Sequence, residues 1–513
     1  MISLKNINKS FGKKVVLKRI NLTILEKDRI AFVGKNGSGK STLLKIIAGL
    51  LEPDEGIVEK PKGLKIVYFP QEIPLEEQKK TGEDFLAQKL FIKKNEIRGQ
   101  VGSLFQKLEF AEKDLKKKIK GLSGGEKSKI LLMLILKSPA DIFLLDEPTN
   151  NLDLRGLVLL EQFIASSQKG FFIVSHDRKL LNRFAKSVVE MDDQSQGINI
   201  YRNLNFNQYL LEKRNKEVRA QENYENYIEE KRRLEKTIRL KKQEAKNMQK
   251  GPAKPRDKDK YVVGFKKDRS KKIASQASSI EKKLERMEEI EKPRRPLPLN
   301  LKFNLTEKSG DIVFRLNGPE INLEINYGNR IVIIGPNGGG KSTLLKILLG
   351  LKTDNNYSVY VGSNLKIGYL PQEIQFNEDD LVVNYFLKQT GLDESNSRRI
   401  LARFGFFENE INSKISEISP GQRSRLILAT IMARPINCLI LDEPSNHLDP
   451  EAVDRLEVAM KEFKGTIIMV SHDRYLIDQI NASRTLLLEK GKIKEIKNYH
   501  KYERSIVSTE DYS

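Results

Sequence analysis

Two short stretches of this 513-residue chain carry the residue types needed to hold a chain of phosphates: "GKNGSGKST" from Gly34 and "GPNGGGKST" from Gly335. In the pattern G-x-x-x-x-G-K-[ST], glycines let successive backbone N–H groups turn inward round the β- and γ-phosphates. The lysine reaches the same oxygens, and the next hydroxyl joins a Mg²⁺ shell. These roles fall to Gly34, Lys35, Asn36, Gly37, Ser38, Gly39, Lys40, Ser41 and Thr42, and again to Gly335, Pro336, Asn337, Gly338, Gly339, Gly340, Lys341, Ser342 and Thr343. Further on, "FLLDE" and "LILDE" end in paired acids. Asp146 and Asp442 suit Mg²⁺, held through its water shell, while Glu147 and Glu443 can polarise a water that attacks the γ-phosphorus. His176 and His472, each in "VSHDR" after an apolar run, suit a contact with the γ-phosphate or with that water. The chemistry this predicts is hydrolysis of ATP, with Mg²⁺ as cofactor.

Elements must bring these groups together. Each glycine loop follows a strand-like run ("RIAFVG", "RIVIIG") and opens an amphipathic helical run ("TLLKIIAGLL", "TLLKILLGL"), the context a P-loop requires. The second set repeats the first at fixed spacing. Gly34 and Gln71 recur 301 residues later as Gly335 and Gln372; Ser123, Glu147 and His176 recur 296 residues later as Ser419, Glu443 and His472. Long-period self-similarity of this kind marks two homologous units. The expected fold is α/β: two tandem P-loop nucleotide-binding domains, 1–208 and 299–513, joined by an α-helical hairpin linker, 209–298.

Composition narrows the partners. The net charge is +22 and the hydrophobic fraction 39%, so the chain is globular and basic, and a polyanion is the natural partner. No apolar run approaches the roughly 20 residues that cross a bilayer. "MISLKNINKS" has no secretory apolar region, and the single cysteine, Cys438, rules out an internal disulfide, so a cytoplasmic location is expected. The charge is concentrated: residues 231–280 hold 18 Lys or Arg against 5 Asp or Glu. Residues 209–249 lack Pro and Gly, and from about 266 to 292 Ile273, Ile280, Leu284, Met287 and Ile290 recur at helical spacing. Gly251, Pro252 and Pro255 break the first helix, which predicts an antiparallel hairpin with Lys254, Arg256, Lys258, Lys260, Lys266 and Lys267 at an RNA-binding tip. Tyr261, Val262, Val263 and Phe265 fit either base stacking or a small core of the loop itself.

Over nearly all of both repeats the chain resembles the ATP-binding cassette (ABC) family. The resemblance implies that Gln71 and Gln372 sense the γ-phosphate and Mg²⁺. It also implies that Ser123, Gly124, Gly125 and Glu126, and Ser419, Gly421 and Gln422, form signature loops. Each signature would then press on ATP held by the other unit's P-loop, giving two composite sites within one chain. Phe11 is available to stack on adenine in the first unit. Two departures predict unequal sites: Pro420 replaces a signature glycine and removes an N–H donor, and Asn151 stands where the second copy has His447.

"EPTN" and "EPSN" before Leu-Asp, "SHDR", and a charged helical linker look like the ABC-F subfamily of ribosome-associated ATPases. That resemblance implies a monomer with an intramolecular sandwich, whose linker enters the ribosomal E site beside the P-site tRNA and approaches the peptidyl-transferase centre. The short interval between Gln71 and Ser123 resembles members that protect ribosomes from antibiotics. A fused ATPase subunit of an ABC importer is the alternative, and the basic linker argues against it. Repair and chromosome ATPases fit less well, since they need zinc cysteines or a far longer coil.

Overall fold

The computed structural model describes every residue except Asn36, His176, 193–194, 250–256, Glu288, 291–302, 373–375, His447, Asp449, Asn498 and 509–513. Its contacts divide the chain into two units, Met1–Tyr209 together with Leu299–Ser513, and Leu210–Pro298.

In the first half, six strands form one sheet in the order Ile66–Phe69, Ile142–Asp146, Gly170–Val174, Arg29–Val33, Ser187–Met191, Ile198–Arg202. The first five run parallel and the last is antiparallel. Parallel sheets are covered on both faces, so their strands read as continuous apolar runs; Ile142–Asp146 and Gly170–Val174 are buried throughout. In register, Asp146 lies opposite Val174 and Val174 opposite Phe32, so the carboxyl ends of the three central strands finish level. Ligands of open α/β sheets bind at that edge. A three-stranded antiparallel sheet, Lys14–Ile24, Ile2–Phe11, Glu55–Glu59, flanks the P-loop helix Lys40–Ala48.

The second half repeats the plan: Ile367–Leu370, Cys438–Asp442, Thr466–Val470, Arg330–Ile334, Arg484–Glu489, Lys492–Ile496, with P-loop helix Lys341–Leu348. Among the described residues, the helices between each glutamine and its signature are short, Gly82–Leu90 and Ile97–Lys107 in the first half and Val382–Thr390, Glu394–Arg403 and Glu408–Ile411 in the second. The halves share apolar packing: Leu154 and Val158 of the first belong to the buried cluster that contains Leu476, Tyr499 and Ile506 of the second. Cys438 is fully buried in its strand, where burial pushes its thiol pKa up.

The other unit is a helical pair, Phe206–Gln249 and Asp257–Glu285. A 44-residue helix reaches about 66 Å at ~1.5 Å per residue. Ser270 Oγ donates to Ala245 O at 2.9 Å, Lys241 Nζ to Gln276 Oε1 at 2.7 Å, and Lys283 Nζ to Glu230 Oε1 at 3.1 Å, which fixes an antiparallel register. The structure moves the second helix relative to the sequence expectation: it begins at Asp257, not near 266, and ends at Glu285, not near 292. A lone glycine, Gly264, weakens a helix by only about 1 kcal/mol. Tyr261, Val262, Val263 and Phe265 therefore stand on a helix rather than in a loop.

Candidate active site

Both P-loops turn into their helices through a left-handed glycine, Gly39 at φ 98° and Gly340 at φ 94°. At Gly39 a Cβ would also fall 2.8 Å from Val16 Cγ1, so only glycine fits that turn. The lysines that open the helices are buried. Lys40 Nζ donates to the carbonyls of Gly34 (2.8 Å) and Lys35 (2.9 Å), and Lys341 Nζ to those of Gly335 (2.9 Å) and Pro336 (3.0 Å). Burial lowers the Lys341 pKa, while Glu443, Asp153 and Asp442 favour its charge.

The acid pairs close the strands Ile142–Asp146 and Cys438–Asp442, and all four carboxylates are buried. Both glutamates adopt left-handed backbone, φ 50° at Glu147 and 49° at Glu443. That conformation is uncommon outside glycine and tends to cluster at functional sites. It is held by matching hydrogen bonds, Glu147 N to Val174 O at 2.8 Å and Glu443 N to Val470 O at 2.9 Å. In the second half His472 N donates to Glu443 Oε2 at 3.2 Å, and His472 Nε2 lies 3.5 Å from Glu443 Oε1. This is not an ion pair, because burial pushes His472 down to about 3 and Glu443 up to about 7.

Oxygen donors converge in the second half. Ser342 Oγ is 3.1 Å from both Gln372 Oε1 and Asp442 Oδ1, and Asp442 Oδ2 is buried with no partner among the described residues. Burial raises the Asp442 pKa, and the Ser342 bond opposes the rise. A hydroxyl, an amide oxygen and a carboxylate form a hard donor set that fits Mg²⁺. In the first half Asp146 Oδ2 instead accepts from Tyr68 OH at 2.9 Å.

The halves meet across these elements. Ser123 and Ser419 each cap a helix, Gly124–Lys137 and Pro420–Ala433, in a capping box closed by Glu126 and Gln422. Gly125 of the first signature lies against the second P-loop, where a Cβ on it would fall 2.9 Å from Asn337 Cβ. Asn337 Nδ2 donates to Asn151 O at 2.6 Å. The first signature thus faces the second glycine loop, one of the two pairings that the resemblance implies. At Gly421 a Cβ would meet nothing within 4 Å among the described residues.

Other predicted positions fall as follows. Gln71 is exposed and lines a small cavity with Glu147, Ser128 and Asn150. Phe11 is 52% exposed, with Lys9 Nζ 5.9 Å from its ring centre. Asn36, His176, Lys254 and Arg256 lie outside the described residues; Lys258, Lys260, Lys266 and Lys267 stand on the helix Asp257–Glu285.

Sequence reasoning passed over two groups. Lys129 on the first signature helix meets Asp153 at 3.4 Å, both buried, and the Asp153 field reaches Lys341 and His472 of the other half. Burial works against the Asp153 charge, yet Lys129 and the Gly156 N–H bond hold its carboxyl below the usual range. Arg474, fully buried, bonds Glu161 and, at 3.2 Å, Asp177 of the first half, and at 3.0 Å Glu503 of the helix Tyr499–Ser508. Repetition of "SHDR" was the available signal, since Arg178, at the equivalent place in the first half, also pairs across the halves, with Asp454.

Residues 17–150 and 319–446 each match the ABC transporter family. ABC transporter F family member 2 of Arabidopsis thaliana is 29% identical over 98% of this chain and 78% of its own length. The ribosome protection protein VmlR of Bacillus subtilis is 29% identical over 97% of this chain and 88% of its own. Among solved structures, the archaeal ribosome recycling factor aABCE1, in complex with the ribosomal stalk protein aP1, superposes with TM-score 0.64. Its identity is 18%, and the match covers 98% of this chain and 92% of that one, which speaks to fold. Among the described residues no helix is long and apolar enough to cross a membrane.

Proposed function

The chain belongs to the ABC transporter family, in its F group, and is an ATPase with two tandem cassettes; we propose that it acts on the ribosome. ATP binding draws the cassettes together and permits docking, and hydrolysis permits release. On the ribosome the linker 209–298 enters the E site beside the P-site tRNA, and its basic turn approaches the peptidyl-transferase region, in antibiotic protection or in regulation of translation. The observation that carries this reading is the likeness to VmlR, named a ribosome protection protein, over 97% of the chain, linker included. The linker's charge, 18 Lys or Arg against 5 Asp or Glu over 231–280, supports an rRNA partner.

In the chemistry proposed, Ser41, Gln71 and Asp146, and Ser342, Gln372 and Asp442, hold Mg²⁺. When bound, the metal supplies charge neutralisation at the phosphate oxygens. Lys40 and Lys341 reach the β- and γ-phosphates. Glu147 and Glu443 polarise the attacking water; His176 and His472 orient it. The signatures 123–126 and 419–422 complete each site from the opposite cassette, and Phe11 stacks on the adenine of the first.

The test is sedimentation with 70S ribosomes. Glu147→Gln with Glu443→Gln is expected to bind ATP, fail to hydrolyse it and remain with the ribosomes. A profile identical to that of the parent protein would overturn the reading, and a protein that follows membranes instead would favour an importer subunit.

A further inference from the structure

Each half places a tyrosine on the edge strand beside its metal-type aspartate, and the two halves show that pair in different arrangements. The strands Ile66–Phe69 and Ile142–Asp146 are parallel neighbours with Tyr68 opposite Leu144; Ile367–Leu370 and Cys438–Asp442 repeat this with Tyr369 opposite Ile440. Tyr68 OH donates to Asp146 Oδ2 at 2.9 Å. In the second half the aspartate has the other partner: Asp442 Oδ1 takes Ser342 Oγ at 3.1 Å, while the Tyr369 hydroxyl and Asp442 Oδ2 are both buried without partners among the described residues.

We propose that Tyr68 is a positioning residue for the metal-binding Asp146: the phenol holds one carboxylate oxygen from the strand side, which leaves the other turned to the P-loop serine and the metal. The first half shows the held arrangement, with Asp146 fixed before a metal arrives. The second half shows the released one, in which Ser342 and Asp442 bond each other and must part for a metal to join both. The two sites therefore differ in metal affinity by the cost of that rearrangement, and the first is the tighter. Phenylalanine keeps the ring and its packing and removes only the donor.

This rests on the metal-ligand reading given above, and the experiment separates the two. Full-length protein carrying Glu147→Gln and Glu443→Gln is titrated with Mn²⁺ in the presence of ATP, and bound metal is counted by electron paramagnetic resonance. Nucleotide affinity in EDTA and the unfolding temperature are measured alongside. Two classes of Mn²⁺ site are expected. Tyr68→Phe should weaken the tighter class by about tenfold, the scale of one hydrogen bond to a charged group, with nucleotide affinity in EDTA unchanged. Tyr369→Phe should change the weaker class by about twofold or less, because its hydroxyl has no partner to lose among the described residues. Unchanged Mn²⁺ affinity in Tyr68→Phe overturns the proposal. So does an equal loss of nucleotide affinity in EDTA, since that would mean the tyrosine only supports the fold. A parent protein that binds no Mn²⁺ with ATP overturns the metal-ligand reading itself.

Discussion

Gly125 and Asn337 touch across the two cassettes so closely that a methyl group on Gly125 would lie 2.9 Å from both Cβ and Nδ2 of Asn337. The Cβ cannot swing away as a side-chain tip would, so relief requires the P-loop or the signature helix to move. Overpacking of this kind costs roughly 1–3 kcal/mol. Gly125→Ala is therefore expected to lower ATPase kcat/KM by about 5- to 100-fold, with single-site nucleotide binding retained. Gly421→Ala, whose Cβ would meet nothing within 4 Å among the described residues, should stay within about threefold. Steady-state kinetics and fluorescent-nucleotide binding on both variants check the contrast.

Glu443 sets the pH dependence at the second P-loop. Burial raises it to about 7, and a protonated acid cannot accept a proton from water. In a Glu147→Gln background, kcat/KM should climb about tenfold per pH unit below 7 and level off above it. His472, held neutral with its pKa pushed down to about 3, adds no second limb in that range. A profile flat from pH 5.5 to 8 would remove Glu443 as the base.

Arg474 is buried against Glu161 and Asp177 of the other cassette. Removing one partner of a buried pair costs about 3–5 kcal/mol, because the remaining charge stays desolvated. Arg474→Ala should lower the unfolding midpoint in urea accordingly. Arg474→Lys should recover only part of the loss, since a point charge cannot serve Glu161, Asp177 and Glu503 together.

Asp473 gives the interface a pH-dependent cost. Burial and the neighbouring Asp177 raise its carboxyl to about 6, above the unfolded value of about 3.9. Ionising it is thus harder in the folded state: the penalty is absent below pH 4, grows between 4 and 6 and is complete above 6. Asp473→Asn keeps an acceptor for the Tyr475 and Leu476 N–H groups and removes the charge. Its unfolding temperature should exceed that of the parent at pH 7.5, with the difference vanishing by pH 4.

Neutralising Lys254, Arg256, Lys258 and Lys260 together should weaken ribosome binding and leave intrinsic ATPase within about twofold. If all four meet phosphates, the slope of log K against log salt should flatten by about 3. Equal loss of binding and hydrolysis would make the linker structural.

Much of the fold was readable because its signals are local. Glycine spacing, a strand run before it and a helix run after it all fall within a few dozen residues, and the repeat at offsets 301 and 296 doubled each signal. The second linker helix begins earlier than the apolar spacing from about 266 indicated, since the helix also runs through Gly264. Less was readable where geometry joins distant residues. Nothing near Glu147 or Glu443 announces a left-handed backbone, since the neighbouring strand's carbonyl fixes it. Tyr68 stands three residues before Gln71, yet only the sheet order puts its hydroxyl on Asp146.

Arg474 reaches Glu161 across 313 positions of sequence. At ~5–20 residues per second of synthesis, the first cassette waits about 15–60 s for that guanidinium. During that interval Glu161 keeps Arg183 of its own cassette as a partner, while Asp177 waits for the guanidinium. The seam between the halves can therefore close only late in synthesis, after most of the second cassette has been made.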